Sequence, residues 1–368
     1  ADDVLVRARL LGAVEGENAG ARSTASTGGL LLGVSSTASH ARVLGDAKAD
    51  FAAGSLTAGD VRIISKSDVD LHAGSDAEAY GLVGAGASTA ETDARVDTVA
   101  EVAASTVLFV DSLEISADGR DAQTLEVTTG SGGAVAGAAG SAESDSRGET
   151  RAHVLDAEVD VTRGGSGLLT IGAEHEAFFS ATIDAQSVGL LSGAGAEIDH
   201  EVVSTVVTRI GAGADVDARD LQITSANKVT KPEVGDNIEG DTGGLASGAS
   251  AESYTDLDFV TKSVIGVNAD VDVANDAFDP GEMLMSAFNE VVASDTVNLW
   301  TAGAISGAGA FSELETGDFL ALVQIREGAD VDVEGEVELT SNAASDVFVK
   351  SNSETYGAAT VAIGSGVS

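Results

Sequence analysis

One phrase recurs along this chain and limits what the chain can fold into. Its copies are IGAGADVDA at 210–218, IGVNADVDV at 265–273 and IREGADVDV at 325–333. In each copy an Ile stands six residues ahead of the first Val of a Val-x-Val or Val-x-Ala pair. Repetition at a near-constant interval is typical of proteins built from similar stacked units. The sequence therefore predicts a repeat protein.

A second feature gives the same period independently, because a Gly-, Ala- and Ser-rich stretch opens each unit. Successive stretches begin 52, 52, 56, 55, 59 and 54 residues apart, at Gly29, Gly81, Gly133, Gly189, Gly244, Gly303 and Gly357. Since the period runs through all 368 residues, we expect a single elongated body over 1–368 without an internal domain boundary.

Alternation of apolar and polar residues within each unit predicts β-strands with one buried face. Stretches 55–65, 214–226 and 329–343 each indicate a strand, a tight corner and a second strand. The residues that we expect to line the interior include Val216, Ala218, Leu221, Ile223, Val271, Val331, Val333, Val337 and Leu339. Val216, Val271 and Val331 would form one column, and the Asp residues on either side of each would form acidic ladders outside.

Some corners are longer, and we expect them to project as loops between strands. These are 117–124, 162–167 and 274–281, the last of which contains Pro280. Pro232 lies in another stretch between predicted strands. Proline lacks the backbone donor of a central strand, so both positions favour loops.

The fold class indicated by these patterns is all-β: a β-solenoid (β-helix) of stacked coils built from degenerate repeats of about 52–59 residues. A free-standing β-sandwich needs about 100 residues, which is longer than one repeat. With roughly 20 residues assumed per coil, the chain would form about 18 coils and a rod about 90 Å long. Whether one repeat makes two coils or three stays open.

The net charge of −41 and the isoelectric point near 4.1 exclude most anionic partners. Binding to nucleic acid requires clustered Lys and Arg, and anionic membranes attract the same residues. Two interpretations of the acidity remain: a solvated face suited to salty or extracellular surroundings, or a surface that collects divalent cations.

The chain has no Cys, which excludes thiol chemistry and Cys-based zinc sites. No apolar run reaches membrane-spanning length and no signal peptide is visible. Because residue 1 falls mid-pattern and the stretch from Gly357 is cut short, we expect a mature or excised section of a longer protein.

The unit GxxSGAGAE…V…IGAGADVDA..LQITSA resembles the degenerate repeats of giant bacterial surface exoproteins. These are the filamentous-haemagglutinin-like and autotransporter-type β-helical adhesins, and the likeness spans nearly the whole chain. The resemblance implies a secreted, cell-surface β-helix and brings no catalytic residues with it. The heavy acidity and the Asp residues of the Ala-Asp-Val-Asp step depart from the family pattern.

The chain carries few residues that point to chemistry. The chain has no G-x-S-x-G, HExxH or phosphate-binding lysine motif, and its five His are scattered, with the cluster at 174–176 expected on a solvated loop or strand face. Calcium is the most credible ligand, because it binds several carboxylate and carbonyl oxygens in loops. The candidate ligands lie in two predicted inserts and are Asp236, Asn237, Glu239, Asp241, Asp276 and Asp279.

The expected function is that of a non-enzymatic extracellular structural or adhesive protein, a rod-like shaft or filament at the bacterial cell surface. The alternative is a carbohydrate-active β-helix enzyme or carbohydrate-binding module, for which clustered aromatic residues would be required. Expected partners are further copies of the chain, a host or neighbouring-cell surface, or polysaccharide. The small-residue segments are either tight interior strands or an assembly surface, and 357–368 offers a pairing edge.

Overall fold

The computed structural model describes residues 3–11, 19–162, 166–274 and 280–368. These residues form twenty β-strands and no helix, so the prediction of an all-β fold is confirmed. The strands are β1 Val4–Leu11, β2 Ala19–Gly28, β3 Leu32–Phe51, β4 Ser55–Thr57, β5 Asp60–Tyr80, β6 Val83–Val102, β7 Val107–Phe109, β8 Ser112–Val154, β9 Glu158–Asp160, β10 Leu168–Ile210, β11 Asp215–Ala218, β12 Asp220–Lys231, β13 Ile238–Gly243, β14 Ala246–Ile265, β15 Asp270–Val273, β16 Met283–Ala302, β17 Ile305–Ile325, β18 Asp330–Val333, β19 Val337–Tyr356 and β20 Ala359–Val367.

Every pairing between these strands is parallel and joins equivalent parts of successive repeats. Leu113 of β8, for example, lies beside Val61 of β5 and beside Leu169 of β10. A repeat therefore adds one strand to each part of the sheet arrangement, and paired strands are one full repeat apart in the chain, not roughly 20 residues as assumed. A complete repeat such as β5 to β7 holds two strands of 21 and 20 residues and one of three.

The short strands form a separate six-stranded sheet in chain order from β4 to β18, and they carry the recurring phrase. Val216 lies between Val159 and Val271, and Val271 lies beside Val331. The predicted column is confirmed. The outward Asp residues also stand in register as predicted, because Asp270 pairs with Asp215 and Asp330.

The seven periodic glycines, which we call the corner glycines, lie where the first long stretch of each repeat passes into the second. They are glycine because the backbones of neighbouring repeats approach closely there. A Cβ on Gly244 would lie 1.9 Å from the carbonyl oxygen of Gly189, and one on Gly357 would lie 1.8 Å from that of Gly303. No real Cβ makes such a contact, so the period of the sequence reflects the stacking of the backbone.

Alternation places the apolar residues inside, as predicted. Val216, Ile223 and Val271 are fully buried in the largest apolar cluster, and Val331 packs partly buried against it. Val337 and Leu339 are 47% and 50% exposed, so that part of the interior prediction is wrong. Among the described strands, β19 pairs along its length with β16 alone, and one side of the Leu339 column is therefore left uncovered.

The loop predicted at 117–124 is wrong, because these residues lie within β8. Two of its polar residues turn inward and bond to each other: the Gln123 amide donates to the Asp121 carboxylate at 3.1 Å. The described ends of the other two corners, 162–167 and 274–281, lie between strands as predicted. Pro232 and Pro280 also lie outside strands.

Candidate functional site

The predicted calcium ligands of the first insert are divided between the interior and the surface. Asn237 is fully buried, where its amide donates to the Ala181 carbonyl at 3.2 Å and its oxygen accepts from the Thr296 backbone at 2.9 Å. Asn237 thus anchors the start of β13. Asp236 accepts a hydrogen bond from Asn298 at 3.2 Å. The other pair, Asp276 and Asp279, lies outside the described residues.

Glu239 and Asp241 point outward from β13 into a groove of about 440 Å³ that three successive repeats build. Parallel register decides which side chains meet there. Glu239 stands beside Asn298, while Asp241 stands beside Trp300, which in turn stands beside Glu354. The groove combines carboxylates, an amide and the only tryptophan of the chain.

The aromatic rings of the groove form one cluster with its polar groups. Trp300 is 42% exposed and its ring centre lies 5.9 Å from that of Tyr356, at an interplanar angle of 43°. The Tyr356 hydroxyl donates to Glu354 at 2.9 Å, and Asn352 donates to Asn298 at 3.1 Å. An aromatic face bordered by oriented polar groups is the usual composition of a small-molecule site.

The carboxylates of this groove repel one another. Burial, followed by the charges of Asp241, Asp184 and Asp236, raises the pKa of Glu239 above its ordinary value. Burial and Asp184 raise the pKa of Asp241 in the same way. A raised pKa means that the ionised form is disfavoured, so a hydrogen-bond donor or a cation placed here would be stabilised.

Of the four predicted calcium ligands that the structure describes, Glu239 and Asp241 line this groove. Within the described ranges, no group of three or more His, Asp or Glu side chains is arranged to hold a metal ion. Calcium binding stays a prediction.

A second surface feature is a face without charges, on the strands that follow the corner glycines. Its first row, which we call the apolar ridge, consists of Leu32, Val83, Val135, Leu191, Ala246, Ile305 and Ala359, beside the corner residues Leu30, Leu82, Leu190 and Leu245. Most of these side chains are solvent-exposed, to 93% at Leu30 and 64% at Ile305. Exposed apolar patches of this extent mark interaction surfaces.

Beside the ridge runs a row of four stacked outward glycines, which we call the glycine trough: Gly137, Gly193, Gly248 and Gly307. A Cβ on Gly248 would meet nothing closer than the Gly307 oxygen at 3.7 Å, and one on Gly137 would meet nothing within 4 Å. None of the four has a positive φ. Neither internal packing nor backbone conformation requires glycine at these positions.

The interior holds ionisable groups that no pattern in the sequence predicts. Lys231 and Asp295 are both fully buried and 2.9 Å apart, and Lys231 also donates to Thr255 at 2.8 Å. Ser312 donates to the second Asp295 oxygen at 2.5 Å. Burial lowers the pKa of Lys231, which the carboxylate of Asp295 opposes. The pair is a structural bridge between repeats.

Buried histidines occupy the same interior. The cluster at 174–176 lies on β10, but His175 points inward and its Nδ1 contacts the Ser204 hydroxyl at 2.8 Å, so the solvated interpretation fails for this residue. Burial lowers the pKa of His175 to about 4. Burial also lowers the pKa of His200 well below its ordinary value. Both rings are neutral at pH 7 and serve as hydrogen-bonding core residues.

Comparisons with protein-family models, with curated proteins and with solved structures returned no match. Across the part of the chain that the structure describes, no helix has the length and apolar character needed to cross a membrane. The function of the chain is therefore inferred from the geometry of its two surfaces.

Proposed function

We propose that this chain is a β-solenoid with a non-enzymatic structural or adhesive role outside the bacterial cell, at the cell surface. The observation that carries the proposal is the parallel register of equivalent strands through successive repeats, from β1 with β5 to β16 with β19. Each repeat then forms one coil. Stacked coils derive their stability from contacts between neighbours, which suits a chain without Cys.

The dimensions of such a solenoid differ from those expected from the sequence. Strands of about 20 residues span about 65 Å, while seven coils at about 4.8 Å stack to about 34 Å. This stretch is therefore a broad block, and a shaft or filament requires further repeats or association between copies. Partners that fit the acidic surface are other copies, a host or neighbouring-cell surface, or polysaccharide; nucleic acid and membrane insertion do not fit.

Scattering and adhesion measurements test this proposal together. Small-angle X-ray scattering of the monomer should give a block of about 65 by 34 Å. The chain on latex beads should be retained on cell layers or immobilised polysaccharide without shortening the polysaccharide. Depolymerisation of the polysaccharide, or failure to adhere to every surface, contradicts the proposed role.

One observation favours a second candidate function, saccharide binding at the Trp300 groove. The Trp300 side chain is partly exposed in the groove, and Glu239, Asp241 and Asn298 supply acceptors and a donor for hydroxyl groups beside it. The carboxylates favour neutral or amine-bearing sugars over acidic ones. The raised pKa of Glu239 is also a property of general acids, so hydrolysis products should be measured in the same experiment.

Because Trp300 is the only tryptophan, its fluorescence reports on this groove alone. Titration with neutral cello- and chito-oligosaccharides and with amine-bearing chitosan oligosaccharides should shift the emission. Asp241→Asn should weaken the response at least tenfold for chitosan, while Tyr254→Phe, on another outward surface beside Phe311, should leave it unchanged. An emission spectrum that no sugar alters contradicts saccharide binding.

A further inference from the structure

The uncharged face is unusual for this molecule. The ridge, the trough and the next outward row contain no charged residue across seven repeats, in a chain of which 21% is charged. Charge returns only at the far border, where Glu197 and Glu252 stand in register. A groove of about 510 Å³ runs along this face between ridge and trough.

The glycine trough indicates an external constraint. Glycine weakens a strand because it loses more conformational freedom on folding and packs no side chain. Four stacked glycines with room for a Cβ therefore reduce the stability of the isolated chain without an internal reason. A surface that must approach their backbone closely supplies the reason.

We propose that the occupant of this trough is the apolar ridge of a second copy of the same chain. The face is self-complementary over its central repeats, because the raised apolar row lies directly beside the four glycines of the trough. The same row continues through Ala85 and ends at Val34 and Val361. Two molecules with a net charge of −41 each repel strongly, and this face lets them meet without bringing carboxylates together. The inference rests on the solenoid geometry but not on an adhesive role.

Symmetry determines the orientation of the pair. A two-fold axis that runs along the stacking direction, between ridge and trough, places each ridge over the trough of the partner. A two-fold axis across the stacking direction would instead place ridge against ridge. The two copies are therefore parallel, with equivalent repeats at the same level.

The area is sufficient for a specific dimer. A face of about 30 Å along the stack and about 20 Å across the three rows offers about 600 Å² per copy. The total of about 1,200 Å² lies at the lower end of stable protein interfaces. Leu191 against Gly193, Ala246 against Gly248 and Ile305 against Gly307 would form its centre.

Analytical ultracentrifugation tests the interface with a double variant, Gly193→Val/Gly248→Val, which fills the trough. Gly172→Val is the matched control, since Gly172 is an outward glycine on β10, away from this face, where a Cβ would lie 3.5 Å from the Thr224 hydroxyl. Wild type and control should dimerise, and more tightly at 0.5 M than at 0.05 M NaCl because salt screens the mutual repulsion. The double variant should bind at least tenfold more weakly while its circular dichroism is unchanged.

The absence of Cys allows the orientation to be measured with single spin labels at Ala38→Cys and Ser365→Cys, in one outward row at opposite ends of the stack. In a parallel dimer each single-label sample gives the same short distance, and the mixed sample gives one longer by up to about 29 Å. A monomeric wild type, a dimer that the filled trough does not weaken, or an antiparallel distance pattern overturns the proposal. Scattering from the monomeric double variant still tests the solenoid separately.

Discussion

Two columns of glycine lie a few residues apart in the chain, and they are glycine for opposite reasons. At the corner, a Cβ on Gly244 would collide with the Gly189 carbonyl at 1.9 Å. In the trough, a Cβ on Gly248 would have ordinary clearance of 3.7 Å. The first column is required by the backbone of the chain itself, while the second is not. A glycine in a repeat can therefore be interpreted only when the distance from an added Cβ to the nearest atom is known.

The same contrast between interior and surface holds for charge. Lys231 and Asp295 are buried against each other, so each depends on the other. The aspartates of the outer ladder stand beside like charges and depend on solvent and ions. The residue type at an interior position is thus determined by contacts within the chain, and the residue type at an outward position by solvent, ions or a partner.

The largest expected effect tests the interior side of this contrast. Lys231→Met leaves Asp295 buried without its cation and should lower the free energy of unfolding by about 4 kcal/mol in urea denaturation. The double variant Lys231→Met/Asp295→Leu removes both charges and should recover most of that loss. Equal losses for the single and double variants would mean that packing, not charge pairing, decides stability here.

The glycine columns are compared directly by two alanine substitutions four residues apart. Gly244→Ala forces the backbones of two repeats apart and should cost about 3 kcal/mol. Gly248→Ala should instead stabilise the monomer by about 0.5 kcal/mol, because alanine restricts the unfolded chain. Thermal unfolding of both variants at low protein concentration checks the pair, and similar melting temperatures would remove the distinction between the columns.

Asp121 provides a test of buried charge that depends on pH. Burial raises its pKa to about 6, against hydrogen bonds from Ser146 and Gln123 that lower it. A carboxyl whose folded pKa exceeds its ordinary value of 3.8 binds protons more tightly when folded, so its contribution to stability falls as pH rises from about 4 to about 6.

Asp121→Asn removes this titration and should stabilise the chain by about 2 kcal/mol at pH 7, with little difference from wild type at pH 4. Urea unfolding of both proteins at the two pH values isolates the difference, because the buried histidines affect both equally. A variant that is equally less stable at both pH values would show that hydrogen bonding outweighs the cost of the charge.

The smallest expected effect concerns the outer ladder. Burial, then repulsion from Asp215 and Asp160 and from the next repeat, raises the pKa of Asp217. Added NaCl should therefore raise the melting temperature by a few degrees, less so in Asp217→Asn/Asp272→Asn. If calcium is bound specifically, calcium should raise the melting temperature more than NaCl at the same ionic strength. Equal melting temperatures in the two salts would mean that screening accounts for the whole effect.

How much could be predicted from the sequence differs between these regions. Alternation and the recurring phrase located the short sheet, its Val216 column and the outer aspartates, because period-two patterning directly reflects one buried face. The stretch at 117–124 misled because Asp121 and Gln123 bond inside the fold, where Gln123 donates to the Asp121 carboxylate and to the Asp145 carbonyl, 22 residues further along β8. The same local ambiguity hid the strands of about twenty residues.

Local sequence was enough to define the period, the all-β character and the corner glycines, since each depends on contacts that recur identically in every repeat. The folded arrangement alone shows which outward side chains meet. Asp241, Trp300 and Glu354 share a groove because backbone hydrogen bonding aligns three repeats of unequal length. Lys231 and Asp295 pair across 64 residues for the same reason. The length of a repeat can be counted in the sequence. The register between repeats is set by hydrogen bonds between neighbouring strands of the sheet, and the sequence of a single repeat does not contain these bonds.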